Sequence, residues 1–148
     1  MLLYRLARKA FADQMDGKGA ALFGGRWNSV GKPVIYSSEH RSLSVLEYRV
    51  NNPLPVKDLM MVTLAIPDDD CIYLEKTDLP ENWKEYGPES PVAKMGDDWL
   101  MKKKSLVLKV PSVPIPEESN FLVNPLHSRM SEVRIIDLSP YLLDSRIY

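Results

Sequence analysis

The sequence has one cysteine, no long apolar run and no excess of either charge. The single Cys71 excludes an intramolecular disulfide framework and a zinc site built on several thiolates. No apolar run approaches the roughly 18 residues of a membrane-spanning helix, so we expect no membrane association. Nineteen basic residues against twenty acidic ones leave a net charge of -1, which argues against a protein that binds nucleic acid through a basic surface.

The first residues lack the apolar core of a secretory signal, because Arg5, Arg8 and Lys9 interrupt it early. We therefore expect a protein of the reducing cytoplasm. A length of 148 residues is typical of one domain, and we expect residues 1–148 to form a single compact domain. Twelve prolines against seven glycines favour many short, sharply bounded elements.

Strand-like and helix-like segments follow one another without the regular rhythm of a parallel sheet, so the sequence predicts an α+β fold. Apolar patterning predicts strands at residues 2–7, 60–66, 106–110, 121–124 and 133–138. Helices are predicted over 38–50, capped by Ser38, and from Ser90 to the lysines at 102–104. The segment 24–37 is predicted to form a β-hairpin, and 16–21 and 75–89 to be loops.

The segment from Gly24 to Glu47 holds the residues best suited to chemistry. Two glycines precede Arg26, whose guanidinium suits a phosphate, although a surface arginine paired with an acid is the simpler interpretation. Tyr36 is either a core aromatic or part of the same site. Glu47 falls beside the apolar stripe of its helix, where a carboxylate must be paired, reach solvent or border a cleft. The helix packs back on the hairpin, so Arg26, Tyr36 and Glu47 are predicted to face one pocket.

Other polar residues carry weaker signals. His40 and His127 are too far apart for a local metal motif, and each is more simply a surface or capping residue. The acidic run at 68–70 lacks the spaced ligands of a calcium-binding loop, and Cys71 has no neighbouring base. These residues therefore predict no metal site.

Most of the chain resembles one known family, the RES domain. The similar segments occur in the family's order at 24–31, 34–37, 43–47, 96–100, 105–112, 118–127 and 143–146. The loop at 76–90 is the least matched part. RES domains are toxins of bacterial toxin–antitoxin pairs, and their fold resembles that of ADP-ribosyltransferases, with mixed, mainly antiparallel sheets and flanking helices.

The resemblance implies that the protein breaks the nicotinamide–ribose bond of NAD⁺, by hydrolysis or phosphorolysis, and so depletes cellular NAD⁺ and arrests growth. NAD⁺ is then the substrate, and neither a true cofactor nor a metal is needed. The family's arginine, tyrosine and glutamate fall on Arg26, Tyr36 and Glu47. Its serine falls on Ser112, with Ser128 as the competing position.

The chemistry of this bond fits these residues. Nicotinamide leaves as a neutral molecule, so the single carboxylate of Glu47 can serve where a glycosidase needs two, by stabilising charge on the ribose. Arg26 would hold the pyrophosphate, and Tyr36 would stack on the nicotinamide. Ser112 or Asn28 would position the ribose or the attacking group by hydrogen bonding.

Alternatives from other classes stay open: a mono-ADP-ribosyltransferase that modifies a cellular protein, and a catalytically silent module that binds a partner. A ribonuclease is disfavoured by the near-neutral charge and the lack of a histidine pair. The resemblance also implies a cognate Xre-type DNA-binding antitoxin that covers the active site, whereas direct binding of nucleic acid by this chain is not expected. An oligomeric toxin–antitoxin complex is compatible with the sequence, which leaves its stoichiometry open.

Overall fold

A computed structural model describes residues 1–87 and 89–147 of the chain. Among these residues, seven strands form one sheet, and three α-helices and several short 3₁₀ turns connect them. The strands are β1 (Leu2–Arg8), β2 (Ile35–Ser38), β3 (Leu59–Ala65), β4 (Cys71–Tyr73), β5 (Val107–Pro111), β6 (Ser119–Val123) and β7 (Arg134–Tyr141). The helices are α1 (Lys18–Phe23), α2 (Arg41–Asn51) and α3 (Ala93–Lys102).

The order of strands in the sheet is β4-β5-β6-β2-β1-β3-β7. Neighbouring strands are antiparallel except β4 and β5, which are parallel. The sheet therefore places β2, from the first third of the chain, directly beside β6, from the last third. The predicted α+β fold is confirmed.

Apolar side chains cover both faces of the sheet, as the alternation along each strand requires. One face carries a core that includes Ile35 and Val123. On the other face, one cluster packs Trp27 and Trp99 with α3, and a second cluster includes Val45 of α2. Since both helices lie on the same face, the polar residues of β2, β5 and β6 that point to that face lie between them.

The predicted hairpin over 24–37 is wrong. Gly25 and Asn28 close a tight turn through an isolated bridge, and β2 pairs with β1 and β6 instead. The Tyr36 hydroxyl accepts the N–H of Trp27 at 3.1 Å and donates to Asn28 Oδ1 at 2.7 Å. Side chains thus satisfy polar groups of a segment that has no strand partner.

Other elements differ from the predictions near their ends. The helix α2 begins three residues after the predicted cap, because Ser38 ends β2 and its hydroxyl donates to Asn120 Oδ1. The helix α1 begins after Gly17, at a positive φ of 68° that glycine tolerates, within a stretch predicted to be a loop. The predicted surface loop at 75–89 contains the buried Trp83.

Candidate active site

The carboxylate of Glu47 lies on α2, one turn after the buried Leu43, and is half-buried. Its Oε1 accepts a hydrogen bond from Ser112 Oγ at 2.8 Å and another from Asn120 Nδ2 at 2.5 Å. Hydrogen bonds to an ionised acceptor are short and strong. Two donors on one oxygen fix the direction of the carboxylate. Within residues 1–87 and 89–147 no donor reaches Oε2, which can therefore accept a hydrogen bond from a ligand.

The two donors come from the segments around neighbouring strands. Ser112 follows β5 and is fully buried, and its Oγ also accepts the N–H of Ile115 at 3.3 Å. Asn120 lies on β6 directly opposite Ser38 of β2, whose Oγ donates to Asn120 Oδ1 at 2.7 Å. Because the Asn120 oxygen faces Ser38, its amide nitrogen faces Glu47. Ser38 therefore sets the orientation of the donor that holds the carboxylate.

The guanidinium of Arg26 ties the turn after α1 to the loop before α3. Its Nη1 donates to the carbonyl oxygens of Trp83, Lys84 and Glu85 at 3.2, 2.8 and 2.8 Å. Nε and Nη2 donate no hydrogen bond among the described residues, so these two nitrogens can donate to a bound anion. Burial lowers the pKa of Arg26, and the charge of Glu47 opposes that shift, so the two side chains act on each other across the site.

Tyr36 and Asn28 hold the turn that carries Arg26. Asn28 is buried, and its Nδ2 donates to the carbonyls of Ala20 and Lys32, each at 2.9 Å. Burial raises the pKa of Tyr36, which keeps its phenol neutral and able to donate to Asn28. The side chain of Asn28 is thus engaged inside the protein. The predicted contact of Asn28 with the ribose would require some of these hydrogen bonds to break.

Glycines allow two close approaches around this turn. A Cβ at Gly25 would lie 2.7 Å from the Tyr36 hydroxyl and 2.8 Å from Asn28 Oδ1. A Cβ at Gly96 of α3 would overlap the carbonyl oxygen of Trp27. The helix α3 can therefore rest directly on the turn only because residue 96 has no side chain.

The structure brings Ser112 into contact with Glu47, whereas Ser128 is exposed in the turn region after β6. Two further members of the site, Ser38 and Asn120, were not identified from the sequence. The sequence pattern indicates only a helix cap at Ser38, and Asn120 carries no local signal at all. Their pairing depends on the register of β2 on β6, which joins residues 82 positions apart.

The two histidines lie beside acids. His40 Nδ1 is 3.5 Å from Glu118 Oε2, and His127 Nε2 is 3.8 Å from Asp70 Oδ2. In the part of the chain that the structure describes, no group of three or more His, Cys, Asp and Glu side chains is placed to hold a metal ion. Nor does any helix among those residues have the length and apolar character needed to cross a membrane.

Several known proteins are similar in sequence to most of this chain. The sequence is 32% identical over 154 residues to Toxin Res of Photorhabdus laumondii, covering 99% of this chain and 97% of that protein. It is 34% identical over 130 residues to Toxin Res of Yersinia enterocolitica, covering 86% of each. It is also 32% identical over 147 residues to the Prs ADP-ribosylating toxin of Sphingobium sp., covering 95% of this chain and 91% of that toxin.

The fold is similar to that of a solved structure. A chain in the crystal structure of the M. tuberculosis MbcT–MbcA toxin–antitoxin complex matches with a TM-score of 0.73 at 18% identity. The match covers 95% of this chain and 83% of the other. The sequence profile of the RES domain matches residues 2–144. The chain therefore belongs to the RES domain family.

Proposed function

We propose that this protein is the toxin of a toxin–antitoxin pair and that it breaks the bond between nicotinamide and ribose in NAD⁺. The observation that carries the proposal is the Glu47 carboxylate, whose direction is fixed by hydrogen bonds from Ser112 and Asn120. The charge of Glu47 acts on Arg26, whose Nη1 alone donates hydrogen bonds among the described residues. The names of the relatives, two called Toxin Res and one called an ADP-ribosylating toxin, support it.

In the proposed reaction the bond between ribose C1′ and nicotinamide N1 breaks. Its electron pair leaves with nicotinamide, which becomes neutral and needs no general acid. Positive charge develops on the ribose as an oxocarbenium-like species. Glu47 stabilises this charge and accepts hydrogen bonds from the ribose hydroxyls, and a carboxylate that is already fixed in direction loses little energy to reorganisation.

The other residues act through binding and positioning. Arg26 binds the pyrophosphate through Nε and Nη2, whose N–H groups match two phosphate oxygens. Ser112 holds the carboxylate of Glu47. For Tyr36 we propose positioning of the arginine's turn, because its hydroxyl is bound to that turn.

Water is the proposed acceptor: it attacks C1′ and yields ADP-ribose, with release of one proton. Inorganic phosphate in the same position yields the phosphorylated sugar. Transfer of ADP-ribose to a protein is the second candidate, favoured by the name of the Sphingobium relative. All three share the step in which nicotinamide leaves. We propose the cytoplasm as the location of this activity, because the proposed substrate, NAD⁺, is found there.

We further propose an Xre-type DNA-binding antitoxin as partner, which would cover Glu47 and the residues around it. The similar solved structure, a toxin–antitoxin complex, supports a partner of this kind. The partner would keep NAD⁺ from reaching the carboxylate until it is removed.

The test is the NAD⁺ content of cells after induced expression of the wild type and of Glu47→Gln. Glutamine keeps an oxygen for both donors but removes the charge, so we expect a folded variant that no longer depletes NAD⁺. Glu81→Gln, at an exposed position, is the matched control and should deplete NAD⁺ like the wild type.

Purified protein with adenine-labelled NAD⁺ and cell lysate then separates the acceptors. Label in free ADP-ribose indicates hydrolysis, and label retained on protein indicates transfer. Undiminished NAD⁺ with soluble wild-type protein would contradict the proposal and favour a silent partner-binding module.

A further inference from the structure

The loop before α3, from Trp83 to Ser90, contacts Arg26 of the candidate site. Trp83 is 6% exposed and packs in the same cluster as Trp27 and Trp99. The carbonyls that Arg26 binds through Nη1 are those of Trp83 itself and of the next two residues. On the other side of the loop, Ser90 Oγ donates to the carbonyl of Arg26 at 2.8 Å. One arginine therefore holds the loop at two places, through its side chain and through its backbone.

Tyr86 follows the carbonyls that Arg26 binds. Its ring centroid lies 5.4 Å from the guanidinium carbon, within the range of a cation–π contact, yet the residue is 69% exposed. Burial lowers the pKa of Arg26, and Glu47 and then Tyr86 oppose the shift. The Tyr86 ring therefore lies next to the Arg26 guanidinium and presents most of its surface to solvent.

The two tyrosines near Arg26 differ in what they can offer a ligand. Tyr36 is half-buried, and its hydroxyl is bound to Trp27 and Asn28. The ring of Tyr86 is exposed to solvent, and it contacts the Arg26 guanidinium that we expect to bind phosphates. Aromatic side chains in this setting stack on flat heterocycles.

We propose that Tyr86 is the aromatic platform of the site and stacks on a flat base of the dinucleotide while Arg26 holds its phosphates. This inference rests on the proposed function, since it takes NAD⁺ as the ligand. Tyr86 lies in the segment least similar to the RES pattern, so the family resemblance assigns it no role.

Equilibrium binding of NAD⁺ tests the proposal. The Glu47→Gln variant serves as the background, so that the ligand is not consumed during titration calorimetry. Added to it, Tyr86→Ala should weaken NAD⁺ binding about tenfold, and Tyr86→Phe should stay within about twofold because it keeps the ring. The melting temperature should not change, since the side chain is exposed.

Tyr73→Ala is the matched control. Tyr73 is 54% exposed and also has a cation over its ring, with Lys109 Nζ at 5.2 Å. It pairs in register with Lys109, whose partner Phe121 belongs to the core on the opposite face of the sheet. We expect this variant to bind NAD⁺ like the background protein.

Titration with ADP-ribose and with nicotinamide mononucleotide shows which base is stacked. If Tyr86→Ala weakens the binding of ADP-ribose alone about tenfold, the stacked base is adenine. If it weakens the binding of the mononucleotide alone, the stacked base is nicotinamide. Either result supports the role proposed for Tyr86. Equal affinities of Tyr86→Ala and the background protein would overturn it and leave the proposed function standing. If no variant and no wild-type protein binds NAD⁺, the proposed function fails and the platform with it.

Discussion

Replacing Ser112 by alanine removes one of the two donors to the Glu47 carboxylate. Ser112 is fully buried, so solvent does not replace the missing O–H. A hydrogen bond to a charged group contributes about 1.5–3 kcal/mol. Since about 1.4 kcal/mol corresponds to tenfold in rate, we expect kcat/KM for NAD⁺ to fall roughly 10- to 150-fold. The N–H of Ile115 also loses its acceptor, so the two lost hydrogen bonds together should lower the free energy of unfolding by about 2.5–4 kcal/mol.

The assay is steady-state consumption of NAD⁺ by purified protein, with thermal unfolding measured in parallel. Ser128→Ala makes the same change at an exposed position and should leave both quantities unaltered. Full turnover in Ser112→Ala, or a loss confined to Ser128→Ala, would refute the assignment of Ser112 as the residue that holds Glu47.

Two more predictions concern the turn that carries Arg26. Because burial raises the pKa of Tyr36, the folded protein keeps the phenol proton to higher pH than the unfolded chain, whose tyrosines ionise near pH 10. The stability that this group contributes is therefore present below about pH 10 and is lost at higher pH. The free energy of unfolding, measured by denaturant titration from pH 8 to 11, should fall steeply at the alkaline end in the wild type and less steeply in Tyr36→Phe. The same pH dependence in both proteins would contradict this. Gly96→Ala forces α3 away from Trp27 and should cost about 2–3 kcal/mol in a urea titration. Gly19→Ala on α1, with open space around its Cβ, should cost nothing, and similar losses in both glycine variants would show that the contact with Trp27 is not the cause.

The elements that the sequence predicted well are those with local signals. The strands predicted at 60–66 and 106–110 are mainly apolar runs, each with one polar residue, and both lie within one residue of the observed β3 and β5. The position of Glu47 beside an apolar stripe was likewise visible from the spacing of Leu43 on the same helix. Such features depend on neighbours a few residues away.

What the sequence did not predict depends on contacts between distant residues. The segment that carries Arg26 and Asn28 has turn residues and β-rich flanks, which favour a hairpin locally, yet a side-chain network organises it as a tight turn. Ser38 matches a helix cap in sequence, and only the pairing of β2 with β6 shows that its hydroxyl orients Asn120. Cross-strand partners of this kind have no local periodicity.

The hydrogen bonds around Glu47 also determine when the site can work during synthesis. Its donors Ser112 and Asn120 lie 65 and 73 positions further along the chain, and the strand β6 that carries Asn120 is followed only by β7 among the strands. A nascent chain that ends before residue 112 has the glutamate but neither of its donors. The carboxylate therefore gains both donors only after β5 and β6 have formed, and we expect chains that end before residue 112 to lack the proposed activity. Since pairing between distant segments is slow compared with local helix formation, we expect an interval after synthesis in which the chain is complete but Glu47 does not yet have its donors.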